Sequence, residues 1–245
     1  MSGRLVFRPL SVVYYVLLLL LLLILLPYFT LFFREIMVKG LGLPPEALGG
    51  FLLLSLVGSF FNIPLTEVTS TIPIYAIESI GFFGVTWRIP RLEIGVRKTL
   101  VTLNVGGALV PLIFSFYLLG WSIPSCSSNT LLTYMNVLIV LAVVTLVVHR
   151  SSRLVKGLGI ATPAFIPPTV VALTTLLVDW FIPLSCPTQI AYVGGTIGTL
   201  IGADLLNINK IAGLGAPVVS IGGAGTFDGV YTTGLISVLL VLLLL

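Results

Sequence analysis

Residues 11–26 of the chain read SVVYYVLLLLLLLILL, an apolar run without a charged side chain. Arg4 and Arg8 precede this run, as basic residues precede the apolar core of a secretory signal peptide. The run is longer than such a core, and no small-residue cleavage site follows it. We therefore predict that it is an uncleaved membrane anchor.

The composition of the whole chain indicates the same class of protein. Of 245 residues, 58% are hydrophobic and only 8% are charged, and the mean hydropathy is +1.20. These proportions leave too few polar groups to cover a soluble globule. Since one span takes about 20 apolar residues, we predict a single transmembrane domain over residues 1–245, surrounded by membrane lipid and lacking a nucleic-acid module.

Apolar windows of about 19 residues predict seven transmembrane helices. These lie at 11–33, 47–66, 99–120, 131–148, 163–182, 188–206 and 217–243. The predicted fold class is all-α: a polytopic membrane bundle of about seven helices, some of them broken by proline or glycine.

The distribution of basic residues orients this bundle. Ten of the twelve lysines and arginines fall at the N-terminus and in the second, fourth and sixth loops. The opposite loops contain only Arg34 and Lys39. The positive-inside rule then predicts a multi-pass protein of the cell membrane with its N-terminus in the cytoplasm.

Proline and charged residues interrupt the apolar pattern at three places. Phe61–Leu65 closes the second predicted span, and 162–168 opens the fifth, where prolines either shape a pocket or simply begin a helix. Residues 69–98 mix two glutamates and four basic residues with short apolar pieces. We predict a cytoplasmic interfacial segment there, either a short hairpin or an amphipathic helix.

The two cysteines fall in predicted outer loops, within similar strings. These strings are Trp121-Ser-Ile-Pro-Ser-Cys126 and Trp180-Phe-Ile-Pro-Leu-Ser-Cys186. One interpretation is a Cys126–Cys186 disulfide, which an oxidising compartment would permit. The other is that two short loops merely share interfacial tryptophan and helix-ending proline.

Acidic residues inside the predicted spans point to function, because a carboxylate in hydrocarbon is costly and usually faces a partner or a cavity. Of the eight acidic residues, Glu67, Asp204 and Asp228 remain after those in loops and at boundaries are set aside. Asp204 follows three glycines spaced four residues apart, a pattern that lets a neighbouring helix approach closely. Those glycines are Gly194, Gly198 and Gly202.

Residues 187–240 are predicted to form a helical hairpin with Asp204 on one arm and Asp228 on the other. If the second arm begins near Thr226, both carboxylates lie at similar depth and can share a proton. If it begins at Ala216, Asp228 lies about three turns deeper. Alternatively, Asp228 caps the first turn of the last helix.

The stretches GGTIGTLIGADLLN (194–207) and SIGGAGTFDG (220–229) carry a resemblance. They resemble an uncharacterised prokaryotic and archaeal membrane family, domain-of-unknown-function family 1614, which implies no established activity. They are also faintly similar to presenilin-type intramembrane aspartyl proteases, which have one aspartate on each of two consecutive antiparallel spans. This second likeness implies a proteolytic pair, although the compact GxGD motif is replaced by Gly-Ala-Gly-Thr-Phe-Asp.

Two functional hypotheses follow, besides a purely structural role in a membrane complex. In the first, the chain is an intramembrane aspartyl hydrolase that cleaves membrane peptides with Asp204 and Asp228. In the second, it is a small transporter or channel in which these residues and Glu67 bind protons or cations. The predicted substrate or ion pathway comprises Gly202, Asn207, Gly223, Gly225, Thr226, Tyr231, Asn62 and Glu67.

No cofactor or metal site is predicted, and the oligomeric state stays open. His149 is the single histidine and lies at a predicted span end beside Arg150. A histidine-based triad or metal site needs partners that the sequence does not supply. The paired glycines near 194 and 222 lack the strand and acidic residue of a nucleotide fingerprint.

Overall fold

A computed structural model describes residues 12–82, 85–155, 159–214, 216–223 and 229–245. Within these ranges the chain forms seven helical segments and five strands. The helices are α1 (Val12–Arg34, continuing as a π-helix over Glu35–Gly40), α2 (Pro45–Gly58), α3 (Val105–Cys126), α4 (Thr130–Ser151), α5 (Ile166–Phe181), α6 (Pro187–Thr199, continuing as a π-helix over Leu200–Asp204 and a 3-10 helix over Leu205–Leu214) and α7 (Gly229–Leu244). The strands are β1 (Asn62–Phe82), β2 (Val85–Asn104), β3 (Arg153–Val155), β4 (Gly159–Ala161) and β5 (Val218–Ile221).

The helices confirm a mostly helical membrane protein. In the described part of the chain, three helical stretches are long and apolar enough to cross a bilayer: Leu19–Gly40, Val105–Cys126 and Thr130–Ser151. Helices α2, α5 and α7 are shorter and also apolar. Pro167 and Pro168 lie in the first turn of α5, so they begin this helix.

The prediction of an all-α fold is wrong between residues 62 and 104. There, β1 and β2 form a long antiparallel hairpin whose register runs from Asn62 opposite Asn104 to Phe82 opposite Val85. The second predicted span ends at Gly58, and the third begins as strand before α3 starts at Val105. Averaged hydropathy cannot separate a short apolar strand from a helix, and the frequent valine, isoleucine and threonine of this region favour a strand.

The last predicted span also begins with a strand. Val218–Ile221 form β5, which pairs in parallel with Leu100–Leu103 of β2 and gives the sheet order β1-β2-β5. The described part of helix α7 starts at Gly229. The helical hairpin predicted over 187–240 therefore has a strand-containing connection between its two arms.

Buried asparagine fixes the base of the β-hairpin to the helices. The Asn104 side chain donates to the Ser59 carbonyl oxygen at 2.8 Å and to Asn62 Oδ1 at 3.2 Å. Its own Oδ1 accepts from the Gly107 backbone N–H at 2.7 Å. Ser220 of β5 also donates to Asn62 Oδ1, at 2.6 Å. These bonds join the end of α2, the hairpin, α3 and β5 at one point, which we call the hairpin end of the bundle.

A disulfide lies at the opposite end. Cys126 at the end of α3 and Cys186 before α6 are bonded, with their Cα atoms 6.1 Å apart. The turn after α1 packs beside them, because Thr188 donates to the Gly40 carbonyl oxygen at 2.6 Å. We call this the disulfide end. Helix α3 has 22 residues, so the two ends are separated by about 33 Å at 1.5 Å per residue.

The predicted glycine face of α6 packs against α4. A Cβ atom on Gly194 would lie 2.6 Å from Val140 Cγ1, and one on Gly202 would lie 2.6 Å from the Thr145 carbonyl oxygen. The close approach of the two helices also permits a hydrogen bond between them: Thr145 Oγ1 donates to the Gly198 carbonyl oxygen at 3.3 Å. Glycine therefore sets the spacing of the two helices, as small residues do between membrane helices.

Candidate functional site

Asp204 is buried in the bundle near its hairpin end. It is the last residue of the π-helical stretch of α6, and the residue is 8% exposed. Seventeen residues separate it from Pro187 at the disulfide end, so its depth along α6 is about 26 Å. Among the acids whose side chains the structure describes, Asp204 alone is buried.

A cavity of about 330 Å³ opens at Asp204. Its polar side chains are those of Asp204, Thr199, Thr162 and Thr232. The full lining is Ile160, Thr162, Ala164, Thr199, Ala203, Asp204, Gly229, Val230 and Thr232. The cavity thus lies between α6, the start of α7 and the segment that joins β4 to α5.

Asp228, Gly225 and Thr226 lie outside the described residues. Ala216 is not helical, and the described part of α7 starts at Gly229. The alternative that extends the last helix back to Ala216 is therefore wrong. Gly229, the residue after Asp228 in the chain, lines the cavity with Asp204.

The two glycines before residues 224–228 have a backbone conformation that other residues rarely adopt. Gly222 and Gly223 have φ of 79° and 85°, a left-handed region that costs other residues free energy. Gly222 also packs its carbonyl oxygen directly against Gly107, where a side chain would collide. Gly223 was predicted to line the pathway; its positive φ lies where the chain leaves β5.

Two further predicted residues of α6 have mainly structural contacts. Gly202 packs on Thr145, and its carbonyl oxygen lies 3.3 Å from His149 Nδ1. The Asn207 amide donates to the Ala203 carbonyl oxygen at 2.9 Å and accepts from Lys210 at 2.9 Å. These bonds support the change from π-helix to 3-10 helix just after Asp204.

Tyr231 is buried on α7 and faces α2. Its ring stacks on Phe51 with a centroid distance of 6.4 Å, and its hydroxyl neighbours that of Ser55. Tyr231 does not line the Asp204 cavity, whereas its neighbours Val230 and Thr232 do. Its other face borders an apolar groove of about 280 Å³ between α1 and α7.

This apolar groove adjoins the Asp204 cavity. It is lined by Phe29, Phe32, Phe33, Tyr231, Thr232, Leu235 and Ile236. Thr232 lines both spaces. An apolar chain lying in the groove would therefore be next to the polar cavity.

The structure places Asn62 and Glu67 away from Asp204. Glu67 is exposed on β1 and pairs with Lys98 of β2 at 3.0 Å. Asn62 lies at the base of the hairpin, where it accepts hydrogen bonds from Asn104 and Ser220. The structure does not bring either residue to the cavity.

The comparison with protein families gives one match. Residues 56–240 match the model of the family described as Protein of unknown function (DUF1614). The chain belongs to the DUF1614 family. No curated protein and no solved structure matches it.

The match to DUF1614 includes the β-hairpin, the disulfide, Asp204 and Asp228, but not α1. Sequence reasoning offered a pocket at 162–168 because of its prolines but did not single out Thr162 and Ala164, and it missed the hydrogen bonding of Asn104 in this DUF1614 protein. Asn104 lay inside a predicted span, and a buried asparagine there was a signal of hydrogen bonding. In the described residues, no group of three or more His, Cys, Asp or Glu residues is arranged to hold a metal ion.

Proposed function

We propose that this protein is an intramembrane aspartyl hydrolase in which Asp204 and Asp228 act as a pair. One observation carries the proposal: buried Asp204 lines a cavity together with Gly229, the residue that follows Asp228 in the chain. Consecutive Cα atoms are about 3.8 Å apart, which supports the presence of both carboxylates at this cavity. The order of the two aspartates on successive arms agrees with the faint presenilin likeness.

The chemistry follows from two carboxyl groups in a site of low dielectric. Two like charges a few ångströms apart disfavour double ionisation, so the pair holds one proton. The ionised carboxylate takes a proton from water as the water oxygen attacks the peptide carbonyl carbon. The protonated partner donates to the carbonyl oxygen, which gives a tetrahedral gem-diol. As the C–N bond breaks, the first carboxyl group passes the proton it took from water to the leaving amine, and the second takes a proton from a gem-diol hydroxyl, so the pair again holds one proton.

The proposed substrate is an apolar membrane peptide. The groove between α1 and α7 has an aromatic and aliphatic lining that matches such a segment. Thr232 connects the groove to the polar cavity, so a peptide leaving a helical conformation there would expose its backbone to Asp204.

Transport through a series of acids is less well supported. Glu67 is exposed and ion-paired, and Asp179 accepts a hydrogen bond from the Leu184 N–H at 2.8 Å near the disulfide end. Among the described side chains, this leaves Asp204 as the buried carboxylate. The second hypothesis requires several acids along a pathway through the membrane. Among the described side chains, Asp204 is the one acid that fits such a pathway.

We also propose that the hairpin end faces the cytoplasm and that the protein is multi-pass. Arg150, Arg153 and Lys210 lie at this end, as expected from the positive-inside rule. The disulfide lies at the other end, where an oxidising compartment would maintain it. Trypsin should cleave the β-hairpin in inside-out vesicles only, and cleavage in right-side-out vesicles would reverse the orientation.

The hydrolase proposal is tested with the purified full chain and quenched fluorescent peptides bearing apolar membrane segments. Wild-type protein should cleave at least one such peptide, whereas Asp204→Asn and Asp228→Asn should each abolish cleavage. Glu46→Gln, at an exposed position of α2, is the matched control and should retain wild-type activity. Thermal unfolding midpoints establish that the variants fold. Cleavage undiminished in both aspartate variants refutes the proposal.

A further inference from the structure

Helix α6 has two faces of different chemistry. Gly194, Gly198 and Gly202 contact α4, as described above. Successive residues are about 100° apart around a helix, so Thr196 lies on the opposite side from Gly194 and Gly198. This opposite side carries one hydroxyl in each turn, at Thr188, Tyr192, Thr196 and Thr199. We call these four residues the hydroxyl row.

The hydroxyl row is buried in the centre of the bundle. Tyr192, Thr196 and Thr199 are 0%, 0% and 1% exposed. The row runs from Thr188 at the disulfide end to Thr199, which lines the Asp204 cavity. Thr188 and Asp204 are about 24 Å apart along the helix axis. This is most of the roughly 30 Å hydrocarbon thickness of a bilayer.

Several helix hydroxyls outside the row are satisfied within their own helix. Elsewhere, Ser115, Thr169 and Thr174 each donate to the carbonyl oxygen four residues earlier, at 2.7–2.8 Å. This local bond is the usual way for a buried hydroxyl to be satisfied in an apolar helix. Thr196 and Thr199 have no such bond to the preceding turn in the described residues.

The row lies at the contact between α6 and α7. The Tyr192 hydroxyl is adjacent to that of Thr196, one turn further along α6. On α7, Gly234 packs directly on the Thr196 hydroxyl, and the Thr233 hydroxyl has no hydrogen-bond partner among the described residues. A buried hydroxyl without a partner costs about 1–3 kcal/mol, so several at one helix contact require a compensating role or bound water.

We propose that the hydroxyl row, with ordered water, conducts protons between the Asp204 cavity and the disulfide end of the bundle. This function goes beyond peptide hydrolysis and does not depend on it. A hydroxyl both donates and accepts a hydrogen bond, so each oxygen receives a proton from one neighbour as it releases its own to the next. Asp204 takes up or releases the transferred proton at the cavity.

Bridging water is part of the proposal because, apart from the adjacent Tyr192 and Thr196 hydroxyls, successive row residues are separated by about 4.5–6 Å along the helix. That spacing exceeds a hydrogen bond between two hydroxyl oxygens, which is about 2.7–2.8 Å. A buried water makes hydrogen bonds to two to four polar partners, so a water between successive hydroxyls would complete the route. Apolar replacements in the row should therefore interrupt the route while leaving the helix packing nearly unchanged.

The test uses the full chain in liposomes that contain a pH-sensitive dye, with a potassium diffusion potential set by valinomycin. Wild-type protein should acidify or alkalinise the lumen faster than protein-free liposomes do. Thr196→Val and Tyr192→Phe should each lower the protein-dependent rate by about tenfold or more. Thr174→Val, which removes a hydroxyl bonded within α5, is the matched control and should keep the wild-type rate.

Any of three results overturns the proposal. These are a wild-type rate equal to that of empty liposomes, an unchanged rate in both row variants, and a flux that requires sodium. The thermal unfolding midpoints of both row variants establish that they fold. The row variants should still cleave peptide in detergent, which separates failure of this proposal from failure of the hydrolase proposal.

Discussion

Replacing Gly202 with alanine tests whether glycine sets the spacing of α4 and α6. The added Cβ would lie 2.6 Å from the Thr145 carbonyl oxygen and 3.1 Å from Val148 Cβ, whereas ordinary contact begins near 3.4 Å. The closest neighbour is backbone, which cannot turn aside as a flexible side chain can. The two helices must therefore separate locally.

The expected loss of stability combines two opposing effects. Alanine is favoured over glycine inside a helix by roughly 0.5–1 kcal/mol. Overpacking of a well-packed interface costs typically about 1–3 kcal/mol. Separation also weakens the contacts of His149 with Gly202 and of Thr145 with Gly198, each worth about 1 kcal/mol. The net expectation is a destabilisation of about 1–3 kcal/mol.

Reversible unfolding in mixed micelles measures this change, with Gly49→Ala as the matched control. A Cβ on Gly49 meets nothing within 4 Å, so this variant should be unchanged or more stable by up to about 1 kcal/mol. The difference between the two variants isolates the collision from helix propensity. Equal stability of Gly202→Ala and Gly49→Ala would refute the role assigned to the glycine face.

Two further predictions concern the ends of the bundle. Asn104→Ala should destabilise the protein by about 1–3 kcal/mol, because it leaves the buried Ser59 carbonyl and Gly107 N–H without their partner. Unchanged stability in the same unfolding assay would contradict this prediction. Reduction of the Cys126–Cys186 bond, which closes a segment of 60 residues, should lower stability by about 2–4 kcal/mol. A Cys126→Ser, Cys186→Ser variant should not respond to the reductant, and a wild-type protein equally insensitive would count against the prediction.

Hydropathy identified the membrane class but misjudged the elements near residues 62–104 and 218–221. The sequence of 99–104 is as apolar as the start of a helix, yet these residues pair with β1 and β5. Pairing partners lie far away in the chain, so a local window cannot detect them. Asn104 shows the same limit, because its three bonding groups come from α2, β1 and α3.

The sequence by itself determined three properties of its segments. Apolar runs require lipid, glycines at four-residue spacing permit close helices, and Asp204 lies in an apolar stretch. These properties depend on residue type and local spacing alone. Only the tertiary structure decided which helix the glycines meet, that Thr162 and Gly229 border the same cavity as Asp204, and that Glu67 is exposed. Such contacts join residues from separate parts of the chain, and the packing of whole helices and strands selects them.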